Sequence, residues 1–250
     1  MTTDALPPVR SAKGRLLLTL VVDTSGSMSQ NGAIDQLNSA LQTWRTELQR
    51  DDALRRTGEI ALVTFGKDHV VAVDPSGRSG GQAVEPFVPI TDFNPPKLEA
   101  GGLTPMVEAL QYALQIIAAR KETLRAGGVP LAYRPIMHLI TDGVPTDESG
   151  QPTDRWRDLA PVLRSHEAGN HLLFFALGVH GHDENVLRGL APESSYHLSG
   201  VDFAQVMRLM SASIGQLRDA SRNTDANTFY RGVRQRHEES EKMRRWLEDQ

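Results

Sequence analysis

The sequence predicts an α/β fold: a Rossmann-like, mostly parallel central sheet of about six strands, one antiparallel edge strand, and helices on both faces. Three observations carry this expectation. Unbroken apolar runs such as Leu16–Val22 are too short to cross a membrane and read as strands buried on both faces. Longer stretches between them repeat apolar residues at helical spacing, as helices lying on a sheet do. Two of the apolar runs stop at an aspartate followed by small or polar residues, the pattern of loops at the carboxyl ends of parallel strands, where α/β folds place their sites.

Residues 1–14 are polar, contain Pro7-Pro8 and read as a mobile or extended arm. After the first strand and its serine-rich loop, Ile34, Leu37, Leu41, Trp44 and Leu48 mark one face of a helix. Glu59–Phe65 is the second strand; Gly66-Lys67-Asp68 is a turn, and His69–Asp74 returns as the antiparallel edge. Pro75 to Ala100, rich in Gly and Pro, reads as a long surface excursion that delivers Gly101-Gly102. Thr104 then reads as an N-cap and Pro105 as the first residue of a helix carrying Met106, Leu110, Ala113, Leu114 and Ile117 inward.

Ile136–Asp142 is a further buried strand that ends on an acid and is stopped by Gly143-Val144-Pro145. Asp154–Ala168 is a helix with Trp156, Leu159, Val162 and Leu163 facing the sheet, and Leu172–Val179 is the next strand. Asp183 begins a short helix, Ser195–Leu198 is the last strand, and Phe203, Val206, Met207, Met210, Ile214 and Leu217 line the last domain helix. The domain is expected over 15–221. Residues 222–250 form a charged tail, expected to be a solvated helix, with Met243, Trp246 and Leu247 as the alternative: anchors of a docking segment.

The chemistry concentrates in the loops. Asp23, Ser25 and Ser27 alternate in a tight turn and offer one carboxylate and two hydroxyls, the hard oxygen donors that a small divalent cation accepts when water completes its shell. Taken alone, capping accounts for Thr104 and a turn accounts for Asp142. Taken together, the D-x-S-x-S spacing at Asp23, Ser25 and Ser27, Thr104 after the glycine pair, and Asp142 in Leu139-Ile140-Thr141-Asp142-Gly143 resemble the metal-ion-dependent adhesion site of von Willebrand factor A domains, over roughly residues 16–220.

That resemblance implies that Asp23, Ser25, Ser27, Thr104 and Asp142 hold Mg²⁺, with Mn²⁺ or Ca²⁺ as alternatives, and that a protein partner supplies an Asp or Glu carboxylate to the ion. It also implies a likeness to bacterial cytoplasmic members associated with tellurium resistance and stress, whose partners include ATPases, kinases and phosphatases. The competing readings are a Mg²⁺-dependent phosphoester or nucleotide hydrolase and a metal-independent scaffold. The hydrolase lacks an evident general base beside these loops and has no G-x-x-x-x-G-K-[ST] phosphate loop, so no catalytic residue is assigned. His180, His182 and Asp183 are a weaker candidate for a transition metal, and His138 reads as a hydrogen-bonded core residue.

Composition bounds the rest. The chain has 250 residues, a formal net charge of -4 and no cysteine. This balance argues against a nucleic-acid surface, which needs concentrated Lys and Arg, and excludes disulfides and thiolate chemistry. No signal segment opens the sequence and no run approaches the roughly 20 apolar residues of a spanning helix, so no membrane association and a cytoplasmic location are expected.

Overall fold

The computed structural model describes residues 14–179, 181–197, 202–220 and 224–248. The expected arm, apart from Gly14, therefore lies outside the described residues, as do His180, Leu198, the first residues of the tail and the side chain of Leu247.

Seven strands are described: β1 (Leu16–Thr24), β2 (Gly58–Gly66), β3 (His69–Val73), β4 (Val88–Pro89), β5 (Ile136–Thr141), β6 (Leu173–Gly178) and β7 (Ser195–His197). They form one sheet in the order β3-β2-β1-β5-β6-β7, with β4 also on β2. The pairs β1–β2, β1–β5, β5–β6 and β6–β7 are parallel, and β3 and β4 run antiparallel to β2. The expected architecture is thus observed, with one two-residue strand more than the apolar runs announce. Strand order reverses direction at β1, which places a crevice at the carboxyl ends of β1 and β5.

The helices are α1 (Ala33–Arg50), α2 (Asp52–Thr57), α3 (Met106–Ala126), α4 (Trp156–Ala168), α5 (Glu184–Leu190), α6 (Phe203–Asp219) and α7 (Ala226–Glu248). Because side chains alternate across a strand, β1 feeds two separate cores. Leu16, Leu18, Leu20 and Val22 meet α1, α6 and the start of α7; Leu17 and Val21 meet α3, α4 and α5. Asp23 shares the parity of Leu17 and Val21, so its carboxylate emerges on the α3 side.

Three expectations change. The 75–100 excursion is not confined to the surface: Ile90 and Phe93 are fully buried, and the Phe93 ring meets Trp44 of α1 edge-on at 6.4 Å. Val162 is 44% exposed, and Leu159, Ala160 and Leu163 of α4 turn inward instead. The charged C-terminal segment is helical, yet its first turns belong to the core: Phe229, Tyr230 and Val233 are buried beside α6. Three apolar residues spaced one and three apart are too short a stripe to mark a docked helix among the dense charges that follow.

Candidate metal-binding site

Asp23 is the penultimate residue of β1, which is buried throughout; Ser25 precedes and Ser27 lies in a short 3₁₀ turn, Gly26–Gly32, that leads into α1. Two backbone hydrogen bonds tie this loop to the glycine pair: Gly26 N–H donates to Gly102 O (3.1 Å) and Gly101 N–H to Thr24 O (2.8 Å). Gly102 adopts φ 74° there, with the Gly66 carbonyl where a Cβ would stand, so only glycine fits the approach. The Thr104 N–H then donates to Thr146 Oγ1 (2.9 Å), and the Thr146 N–H donates to Thr104 O (3.0 Å). Those contacts join the Thr104 loop to the one that follows β5.

Side-chain oxygens converge where the three loops meet. Ser25 N–H donates to Asp23 Oδ1 (2.8 Å), Ser25 Oγ lies 3.0 Å from Ser27 Oγ, and Ser27 Oγ donates to Asp142 Oδ1 (2.8 Å). On the other side Thr141 Oγ1 donates to Asp23 Oδ2 (2.6 Å). A Cβ placed on Gly143 would lie 3.4 Å from Asp23 Oδ2 and 3.5 Å from Thr104 Oγ1, so this glycine leaves open the space between the carboxylate and the threonine hydroxyl. Ser27, Gln30, Asn31, Thr104, Asp142 and Gly181 border the adjoining cleft of about 300 Å³. All five residues singled out in the sequence thus lie at one end of the sheet.

Thr104 differs from expectation in one respect. It is not the cap of α3, whose N-cap position is Pro105 without a side-chain hydrogen bond. Its hydroxyl is consequently not spent on the helix, which favours a role in the loop cluster. Thr141 and Thr146, not singled out in the sequence, hold the cluster together. Thr141 has a readable signal: two residues beyond Leu139 on β5, it points to the α3 side and lies beside the end of β1 once Val22 is paired with Ile140. Thr146 has none, since its role depends on the fold of the loop.

Asp23 is fully buried, and burial pushes its carboxyl up to about 6, against the hydrogen bonds from Ser25 and Thr141, with the charge of Asp142 adding a little. A carboxylate so placed gains from a cation. The donor set of two carboxylates and three hydroxyls is all hard oxygen, fitting Mg²⁺ or Mn²⁺ better than a soft transition ion. These residues therefore fit the expected ion. Asp147, by contrast, binds its own loop through Ser149 and Gln151. His138 is buried against Phe175 with Nε2 3.1 Å from Ser213 Oγ, as a core histidine should be.

A family model described as von Willebrand factor type A domain matches residues 18–223. No curated protein matches the chain. Among solved structures, the vWF domain of the type V pili tip protein Mfa5 from Porphyromonas gingivalis aligns with a TM-score of 0.54 at 11% identity, covering 82% of this chain and 96% of that one. The TFIIH p34 N-terminal domain aligns at 0.52 and 13% identity, covering 80% of this chain and 98% of that one. Proximal thread matrix protein 1 from the mussel byssus aligns at 0.53 and 16% identity, covering 78% of this chain and 44% of that one. The chain thus spans less than half of the mussel protein, and it spans 30% of the pilus adhesin SpaC from Lactobacillus rhamnosus GG. At such identities the likeness shows the fold.

Proposed function

We propose, on the premise that this chain belongs to the von Willebrand factor type A domain family, that it is a metal-dependent protein-interaction module whose ion receives an acidic side chain of a partner protein. Domains of this family commonly mediate protein–protein interaction or adhesion and often bind a metal ion. The observation that supports the finer reading is the hydrogen-bonded chain from Asp142 through Ser27 and Ser25 to Asp23 and Thr141, assembled from distant loops at the carboxyl ends of β1 and β5.

Asp23 and Asp142 would supply the negative charge, and Ser25, Ser27 and Thr104 the neutral oxygens. A bound Mg²⁺ would supply a positive centre for an anionic oxygen. Thr141 keeps the Asp23 carboxylate oriented, and the Thr104–Thr146 backbone contacts set the Thr104 loop against the Asp142 loop. Val144, which borders the cleft, and Leu103, next to Thr104, are 37% and 43% exposed and offer apolar contact for a partner. Rim contacts of this kind exclude water from a central charged pair.

The cysteine-free chain and its charged last helix fit a cytoplasmic role in a bacterial stress-response or defence system, alongside an ATPase, kinase or phosphatase. Among the described residues no helix is long and apolar enough to cross a membrane. The test is capture of partner proteins by wild type and Asp23→Ala, each with Mg²⁺ and with EDTA, followed by calorimetry with the partner recovered. Binding that needs Mg²⁺ and is lost in Asp23→Ala is the expected result. Equal binding in all four arms would leave a scaffold, and turnover of a phosphoester lost in the variant would make the chain a hydrolase.

A further inference from the structure

His182 lies in the loop between β6 and α5, and His197 is the last described residue of β7. The two imidazoles meet: His182 Nε2 is 2.7 Å from His197 Nδ1, with ring planes 21° apart and centroids separated by 5.0 Å. Nitrogens that close, in rings so nearly parallel, mean that the rings join edge to edge through one N–H···N bond rather than lying face to face. The outer nitrogen of His182 has its own acceptor. His182 Nδ1 is 2.5 Å from the Val179 carbonyl, which only accepts, so Nδ1 carries the proton and the Nε2 lone pair faces His197. His197 Nε2 is 3.7 Å from Glu184 Oε1, a carboxylate that also pairs with Arg188.

Imidazoles that bind metals have the outer N–H held by a carbonyl or carboxylate and the inner nitrogen free to ligate, and His182 already has this arrangement. We propose that His182 and His197 form a second metal site, for an imidazole-seeking ion such as Zn²⁺, Cu²⁺ or Ni²⁺, chemically separate from the oxygen cluster. The proton now on His197 Nδ1 moves to Nε2, toward Glu184, so both inner nitrogens present lone pairs and no proton leaves the pair. Metal–nitrogen bonds of about 2.0–2.1 Å in a tetrahedral shell set the nitrogens about 3.3 Å apart. The pair must therefore spread by a little over half an ångström and tilt so that both lone pairs converge on the ion, a movement within reach of His197, whose side chain is 26% exposed. Among the described residues no three His, Cys, Asp or Glu side chains form a metal-holding group, so two nitrogens come from the protein and water completes the shell.

The sequence pointed to different partners for His182. Asp183 instead caps α5, accepting from the N–H groups of Asn185 and Val186. The nitrogen that faces His182 comes from a strand 15 residues away. The site also has a structural consequence. Gly181, next to His182, packs against the Asp142 carbonyl, so an ion bridging the two histidines would fasten the cleft wall to the end of β7.

The test is calorimetric titration of the full chain with Zn²⁺ in excess Mg²⁺, which keeps the oxygen cluster supplied, together with electron paramagnetic resonance of one equivalent of Cu²⁺. Wild type is expected to bind one Zn²⁺ at micromolar concentration and to show two coupled nitrogens on Cu²⁺. His182→Gln and His197→Gln should each weaken Zn²⁺ binding at least about tenfold and leave one coupled nitrogen. His171→Gln, at the other histidine pair, should match wild type, and unchanged melting curves would show that the variants fold. Zn²⁺ affinity and nitrogen coupling unchanged in both His182→Gln and His197→Gln, or no binding below millimolar in wild type, would overturn the site. The outcome is independent of whether Asp23 holds Mg²⁺.

Discussion

Two buried carboxylates on adjoining strands, about 20 Å apart along the sheet, are treated in opposite ways. Glu59, at the start of β2 and 3% exposed, receives Arg120 through two hydrogen bonds of 2.7 and 2.9 Å and also Arg15 at 3.3 Å. Asp23, at the end of β1 and 0% exposed, receives hydroxyls and a backbone N–H, and among the described residues no Lys or Arg pairs with it. A charge neutralised by fixed cations holds a fold together. A buried charge left to neutral donors has its carboxyl pushed up to about 6, and the proposed metal site rests on that difference.

The contrast can be broken most directly by removing the fixed cation. Arg120→Met strands Glu59 with only Arg15 and should cost about 2 to 3 kcal/mol in urea unfolding. Asp23→Asn in EDTA should change stability by less than about 1 kcal/mol, because it deletes a charge that no protein cation balances. Equal losses in the two variants would mean that both carboxylates are structural. Adding Mg²⁺ sharpens the comparison: at a hundredfold excess over Kd it should stabilise wild type by about 2.7 kcal/mol, and Asp23→Asn not at all.

His138 supplies the pH test. Burial pushes it down to about 3, whereas in the unfolded chain it titrates near its ordinary 6.5. Below pH 6.5 the unfolded state takes up a proton that the folded state refuses, so stability falls as pH falls. The loss by pH 5 should be about 2 kcal/mol, read from urea midpoints, and His138→Gln should flatten that slope. A modest effect is expected from Thr141→Val, which removes the 2.6 Å hydrogen bond to Asp23 at about 1 kcal/mol. Its informative readout is Mg²⁺ affinity, which should weaken because the carboxylate loses its orientation.

Much of the fold could be read from periodicity. The inner faces of α1 and α6 follow Leu37, Leu41, Trp44 and Leu48, and Phe203, Val206, Met210 and Ile214, because burying one stripe on a sheet requires that spacing. α7 escaped the same rule: it docks through Phe229, Tyr230 and Val233, supported by Arg134 over the Phe229 ring and by the Tyr230–Glu167 hydrogen bond. Those contacts involve chain far from the helix, and no local pattern encodes them. The same holds for Thr146 and for the meeting of His182 with His197.

The residue types at Asp23, Ser25, Ser27, Thr104 and Asp142, and the strands that end beside them, were set by the chain order alone, since hydrophobic period and loop chemistry are local properties. Only the tertiary structure decided that Ser27 reaches Asp142, 115 residues away, and that Thr141 rather than a Lys or Arg side chain meets Asp23. Strand register and the backbone bonds between loops, Gly26 to Gly102 and Gly101 to Thr24, set this geometry. They arise from pairing of remote segments, which side-chain sequence specifies only collectively.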